Sequence, residues 1–329
     1  MSKNKYLPIS GEVLPRYAGI PTFMRLPYVG LDSTDAKNEV DVGIIGVPWD
    51  GGTTNRPGAR HGPRQMRDMS TMMRNVHHVS GIRPFHSINV ADLGDSPVNP
   101  IEIMDTMARV EEFYKKVHAA NIIPLTAGGD HLISLPIMRS IASDEPMGMV
   151  HFDAHTDTWD RYFGDSIYTH GTPFRRAIEE GILDPKRTVQ IGIRGSLYTK
   201  EDKDWGLAQG IRVIEIEEYF DLGHKKVTEI AREIVGEGPT YISFDVDCLD
   251  PVYAPGTGTP EIGGMTTHEA QRIIRGLQGL NIIGADVVEV SPPFDTSGTT
   301  ALTAMTIMWE ILCILSDSII KGQGAKTKA

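Results

Sequence analysis

Eight short apolar runs, interleaved with segments of helical periodicity, are the feature that most restricts what this chain can fold into. The runs fall at 41–48, 86–91, 122–126, 147–153, 188–194, 211–216, 240–245 and 282–289, and the clearer helical patterns at roughly 63–75, 101–119, 132–142, 172–180, 224–235, 267–277 and 300–317. Strands that are apolar along their whole length are buried on both faces, and strands that alternate with helices pair in parallel, because each return needs a crossover. The expected class is therefore α/β: three layers, α/β/α, around a central, mainly parallel eight-stranded sheet. No internal repeat or linker divides the chain, so 39–329 reads as one catalytic domain behind an irregular Pro- and Gly-rich arm at 1–38.

Composition narrows the function classes. With 40% hydrophobic and 23% charged residues, and no apolar run recognised as approaching the ~18 residues of a membrane span, no membrane role is expected. The N-terminal MSKNKYLPISGEV has no apolar signal region, and a cytoplasmic location is the expectation. A net charge of −11 argues against nucleic acid as a partner and mildly favours a cationic ligand. Two cysteines make no disulfide framework; Cys248 reads as a small buried hydrophobe. Met66, Met69, Met72 and Met73 read as core packing, and His77, His78 and His224 as surface or helix-end histidines.

Three of the apolar runs end in acids and imidazoles: GGDH at His131, DAHTD at Asp153, His155 and Asp157, and SFDVD at Asp245 and Asp247. Side chains alternate along an extended segment, so 153, 155 and 157 project together, as do 245 and 247. Each piece alone is ordinary, since Asp-x-Asp is common in caps and turns. Their conjunction at strand ends, where open α/β sheets bind ligands, points to one site. Four carboxylates and two imidazoles suit two hard or borderline divalent cations, Mn2+ first and Ni2+ as the alternative. Such a pair lowers the pKa of water toward neutrality, and hydrolysis is the reaction class to expect. Glu289 adds a carboxylate at a fourth strand end, better suited to a guanidinium than to a phosphate, and His170 in YTHGT is a candidate proton shuttle.

The segments GVPWDGGTTNRPGARHGPRQMR (46–67), GGDH, HFDAHTD, YTHGT, SFDVDCLDPVYAPGTGTPEIGG (243–264) and VVEVSPP (287–293) resemble those of the ureohydrolase (arginase/agmatinase) family, most closely the guanidinopropionase type, from about residue 14 onward. That resemblance implies an arginase-like fold, a dinuclear manganese site and release of urea from a small guanidino substrate. It implies that His131, Asp153, Asp157 and Asp245 hold one metal and His155, Asp153, Asp245 and Asp247 the other. It also implies that Asp157 takes a proton, that His170 transfers protons, and that Glu289 meets the guanidinium. Homotrimers or homohexamers are the oligomers it implies, with a hetero-oligomer of related subunits as an alternative.

Substrate choice rests on less. A short guanidino acid, 3-guanidinopropionate above all, is the first expectation, with Tyr162 limiting tail length and Arg161 meeting the carboxylate. Trp159 stands where relatives commonly carry asparagine, and its flat face suits an N-alkylated guanidine or biguanide, the alternative that goes with nickel and a sister subunit. A tryptophan that only packs the loop is the opposing reading. A third reading, a non-catalytic structural subunit, sits badly with the intact ligand set.

Overall fold

The computed structural model describes residues 5–199 and 201–322; residues 1–4 of the arm lie outside them. In chain order the elements are α1 (Thr34–Glu39), β1 (Val42–Val47), α2 (Gly62–Met69), α3 (Pro84–Ser87), β2 (Val90–Asp95), α4 (Ile103–Ala119), β3 (Ile123–Gly128), α5 (Ser134–Ile141), β4 (Met147–Phe152), α6 (Pro173–Glu179), β5 (Leu183–Ile193), α7 (Asp204–Gln209), β6 (Arg212–Glu215), α8 (Ile216–Val235), β7 (Thr240–Asp245), α9 (Thr267–Gly276), β8 (Ile282–Val288) and α10 (Thr299–Ile320). The eight strands form one sheet in the order β2-β1-β3-β8-β7-β4-β5-β6, and its ladders are parallel throughout.

Alternation along the strands divides the interior. Ile44, Leu125, Phe152, Ile191, Phe244 and Val287 face a core shared with α2, α8, α9 and α10. Ile45, Val47, Met149, Tyr241 and Val288 face the core under α1, α4, α5 and α6. Each such side chain taken from water contributes roughly 1.5–3 kcal/mol, and strands β1, β3, β4 and β7 have no exposed residue on either face.

Four neighbouring strands in the centre of this sheet, β3, β8, β7 and β4, carry the segments read as ligand-bearing. Their register pairs Ala127 with Val287, Asp245 with Val288, and Phe152 with Phe244, so their carboxyl ends emerge side by side. The second glycine of GGDH permits this: a Cβ at Gly129 would collide with the Val47 and Trp49 carbonyls.

Several elements differ from expectation. The strand expected at 86–91 lies at Val90–Asp95, because Pro84 opens a helical turn at 84–87 and the buried Asp92 in mid-strand is satisfied by Arg67 (3.0 Å) and the Phe23 N–H (2.9 Å). The arm is not wholly irregular, since α1 begins at Thr34 with Ser33 as its cap. α8 is broken by a kink at Gly223, φ 72°: the stretch after it matches the helix expected at 224–235, and the turns from Ile216 up to it were not expected. α10 is long and apolar enough to cross a membrane, contrary to the reading that no run approached that length; 78% of its apolar window is buried inside the fold. His77 is not a surface residue: it is 2% exposed, with Nε2 3.0 Å from Glu310, which also binds Arg275 at 2.9 Å. Met66 is fully buried and Met69 and Met73 pack against the core, whereas Met72 is exposed. Cys248 is buried, as expected.

Candidate metal centre and active site

The five residues following β4 and the two ends of β3 and β7 converge on two imidazole nitrogens. His131 Nδ1 lies 3.1 Å from Asp153 Oδ2, 2.9 Å from Asp157 Oδ2 and 3.3 Å from Asp245 Oδ2. His155 Nδ1 lies 3.4 Å from Asp153 Oδ1 and 3.1 Å from Asp247 Oδ2. Asp153 thus offers one oxygen to each group. Asp245 turns Oδ2 toward His131 while its Oδ1 accepts the Asp247 N–H at 2.8 Å. All six residues read as ligands are brought together. The simple pleat that predicted this ends at Phe152, however, and Asp157 reaches the site from left-handed backbone at φ 49°.

These residues fit a pair of divalent cations. His131 Nε2 lies 2.8 Å from Ser243 Oγ, whose hydroxyl donates to Asp286 at 2.7 Å; this makes Nε2 the protonated nitrogen and leaves the Nδ1 lone pair among three carboxylate oxygens. Nδ1 is buried and has no hydrogen-bond partner among the described residues, although those oxygens surround it. A buried ring nitrogen with several anionic oxygens aimed at it draws positive charge, which a divalent cation supplies and, without one, a second proton on the ring.

Electrostatics agree. Burial opposes a charge on His131, yet Asp153, Asp157 and Asp245 outweigh it and hold its pKa well above the ordinary value. Burial, reinforced by Asp247 and Asp153, pushes Asp245 well above the carboxylate range, and burial and Asp153 raise Asp247. Burial works against ionised Asp153 too, but His151, His131 and His155 pull its pKa well down. Asp153, Asp245 and Asp247, buried this close together, cannot all be ionised without positive charge between them.

His151 was missed by sequence reasoning. Its Nε2 is 2.8 Å from Asp153 Oδ2, and Gln190 Nε2, which donates to the Thr156 carbonyl at 2.6 Å, is 3.1 Å from its Nδ1. The signal was present, since the 153-155-157 alternation extends back to 151; Ser243 likewise extends 245-247.

His170 is 7% exposed, with Nδ1 2.8 Å from Glu289 Oε1 and Nε2 accepting from the Thr54 N–H at 3.1 Å. Burial lowers its pKa, but Glu289, with Asp157 and Asp130, pushes it up to about 9. The Thr54 N–H acts the other way, because it can donate only to an unprotonated Nε2. Glu289 sits at φ 65°, and its Oε1 also accepts the His131 N–H at 3.0 Å. At 1% exposure it lies behind His170 rather than on the cavity wall, with a buried Oε2 that has no partner among the described residues.

Over the centre opens a cavity of about 680 Å³ whose wall includes His155, Asp157, His170, Asp245 and Glu261. Trp159 and Tyr162 line it, their rings 5.7 Å apart, and Tyr198 meets Trp159 edge-on at 5.7 Å. Trp159 therefore forms pocket wall and does not merely pack the loop. Arg161 does not reach the cavity: half exposed, it binds Asp160 at 2.9 Å and Asp165 at 3.3 Å, because the 160–166 loop turns it outward. Of the cations that line the cavity, Arg194 is committed to backbone carbonyls, Lys203 pairs with Glu215, and Arg56 ties its loop to the Thr257 and Gly258 carbonyls.

Comparison with known proteins gives a consistent picture. The arginase family profile matches residues 40–313. Guanidinopropionase of Pseudomonas aeruginosa is 61% identical over 318 residues, covering 97% of this chain and 98% of its own length. Guanidinobutyrase of the same organism is 48% identical, covering 96% and 98%. Among solved structures, proclavaminate amidino hydrolase from Streptomyces clavuligerus superposes with a TM-score of 0.87 at 39% identity, covering 92% of this chain and 99% of that one.

Proposed function

This chain belongs to the arginase family, and from that premise we propose that it hydrolyses the guanidino C–N bond of a short guanidino acid, 3-guanidinopropionate first, to an amine and urea. The observation that carries the reading is the pair of imidazole nitrogens, each faced by carboxylates and sharing Asp153, beneath a cavity sized for a small molecule whose wall includes His155, Asp157 and Asp245. The family likeness, and the 61% identity to a guanidinopropionase above all, supports the substrate class.

His131, Asp153, Asp157 and Asp245 would hold one divalent cation and His155, Asp153, Asp245 and Asp247 the other, with Mn2+ proposed ahead of Ni2+ for so oxygen-rich a set. When bound, two such ions supply Lewis acidity and bring the pKa of water toward neutrality. The chain's own residues do the rest. Asp157, with Oδ2 toward the centre, is placed to accept a proton from the attacking water. His170 would carry a proton to the departing amine through Nε2, the nitrogen turned away from Glu289, once that nitrogen gives up the Thr54 N–H it accepts. Glu289 anchors Nδ1 and favours the imidazolium formed in transit. It acts on the guanidinium through His170. Trp159 and Tyr162 wall the tail, excluding water and limiting length.

A second reading rests on the aromatic wall: the faces of Trp159, Tyr162 and Tyr198 suit an N-alkylated guanidinium by cation-π contact. The test is product balance. Protein stripped with a chelator and reloaded with Mn2+ is expected to form urea and 3-aminopropionate in equal amounts from 3-guanidinopropionate, and the stripped protein neither. Absence of both products from the reloaded protein would refute the proposal. We further propose that the working species is a homotrimer or homohexamer, which sedimentation velocity would test.

A further inference from the structure

The two imidazoles of the centre are supported differently. His131 is backed by the buried Ser243 and Asp286. His155 turns Nδ1 to Asp153 and Asp247, and no hydrogen bond holds its Nε2 among the described residues. What faces Nε2 is the Glu261 carboxylate, Oε1 3.8 Å away, with both side chains 32% exposed at the cavity wall.

Two further observations show that this carboxylate is held in place. The Glu261 carbonyl accepts from Arg194 Nη2 at 2.7 Å, and the same nitrogen donates to the Asp247 carbonyl at 2.7 Å. One guanidinium therefore fixes the backbone of Glu261 relative to a ligand of the His155 group. Gly195, at φ +87°, makes room for the head group: a Cβ there would come within 2.5 Å of Glu261 Cδ.

We propose that Glu261 is a positioning residue for His155, an inference that rests on the metal-centre reading above. At ion-pair distance its negative charge favours the tautomer with the proton on Nε2, whose Nδ1 lone pair faces Asp153 and Asp247, biases the orientation of a partly exposed ring, and raises the donor strength of Nδ1. It does the task for His155 that Ser243 and Asp286 do for His131, but from the cavity side, where substrate passes.

The test is calorimetric titration of the metal-free full chain with Mn2+, wild type against Glu261→Gln, which keeps the side chain's size and removes its charge. The expected result is two binding steps in the wild type. In the variant one step weakens by about 10–100-fold and the other is unchanged, with no shift in the melting temperature of the metal-free protein. Two unchanged constants would overturn the assignment to Glu261 while leaving the metal centre standing. Equal weakening of both steps with a lowered melting temperature would mean general loosening and overturn it too. Fewer than two Mn2+ bound by the wild type would overturn the metal-centre reading and this inference with it.

Discussion

Asp153→Asn separates a shared ligand from an unshared one. Asp153 gives Oδ2 to the His131 group and Oδ1 to the His155 group, whereas Asp247 serves only His155. Asparagine keeps the volume of this fully buried side chain but removes the charge. Deleting one partner of a buried, fully desolvated charge interaction costs about 3–5 kcal/mol, and at about 1.4 kcal/mol per tenfold this is two to three and a half decades of affinity. At the free Mn2+ concentration that half-saturates wild type, a hundredfold loss leaves an occupancy of about 1%. Both positions should therefore empty in Asp153→Asn, and one only in Asp247→Asn. Metal analysis after equilibrium dialysis against buffered Mn2+, with circular dichroism to verify folding, reads this directly. If Asp153→Asn kept one equivalent and behaved like Asp247→Asn, the bridging geometry would be wrong.

His170→Asn should lower kcat by about 10²–10⁴-fold and leave bound metal unchanged, since His170 contacts Glu289 and Thr54 and none of the six ligands; steady-state kinetics with metal analysis checks both halves. Trp159→Asn removes the flat wall and should shift the kcat/KM ratio toward guanidino acids over N,N-dimethylguanidine by about fivefold, the ~1 kcal/mol scale of an aromatic or cation-π contact. For His77, burial, aided by Arg275 and opposed by Glu310, lowers the pKa. The folded state therefore resists a proton that the unfolded chain takes up below its ordinary value near 6.5, and stability is lost as pH falls through that value. Thermal melts of His77→Gln should show a shallower loss below that pH, by at most about 1.4 kcal/mol per unit.

The sheet and its ligand-bearing ends were legible because four central strands are apolar along their length and end abruptly in acids and imidazoles. Period and composition report both facts. What escaped detection depends on contacts made at a distance in sequence. β2 was displaced because Asp92, buried by Arg67 and the arm, makes its middle read as loop. α10 was legible as a helix at 300–317 but not as a stretch apolar enough to span a membrane, because Glu310 and Asp317 interrupt its run and nothing local shows that Glu310 is paired internally with Arg275 and His77. Glu289 was rightly placed at a strand end, but its left-handed backbone, which points it behind His170, is invisible to a pleat argument. Arg161 went astray for a similar reason: next to a pocket residue in sequence, it is turned to solvent by its loop.

The central claim, that the cavity admits a short guanidino acid to a two-metal centre, is tested most directly by kcat/KM for urea release from 3-guanidinopropionate, 4-guanidinobutyrate, agmatine, arginine and N,N-dimethylguanidine by the Mn2+-loaded protein. 3-Guanidinopropionate is expected to be the preferred substrate, with 4-guanidinobutyrate behind it as the tail meets Tyr162. Turnover of the dimethyl compound alone, or of none of the five by protein carrying two metal ions, would contradict it.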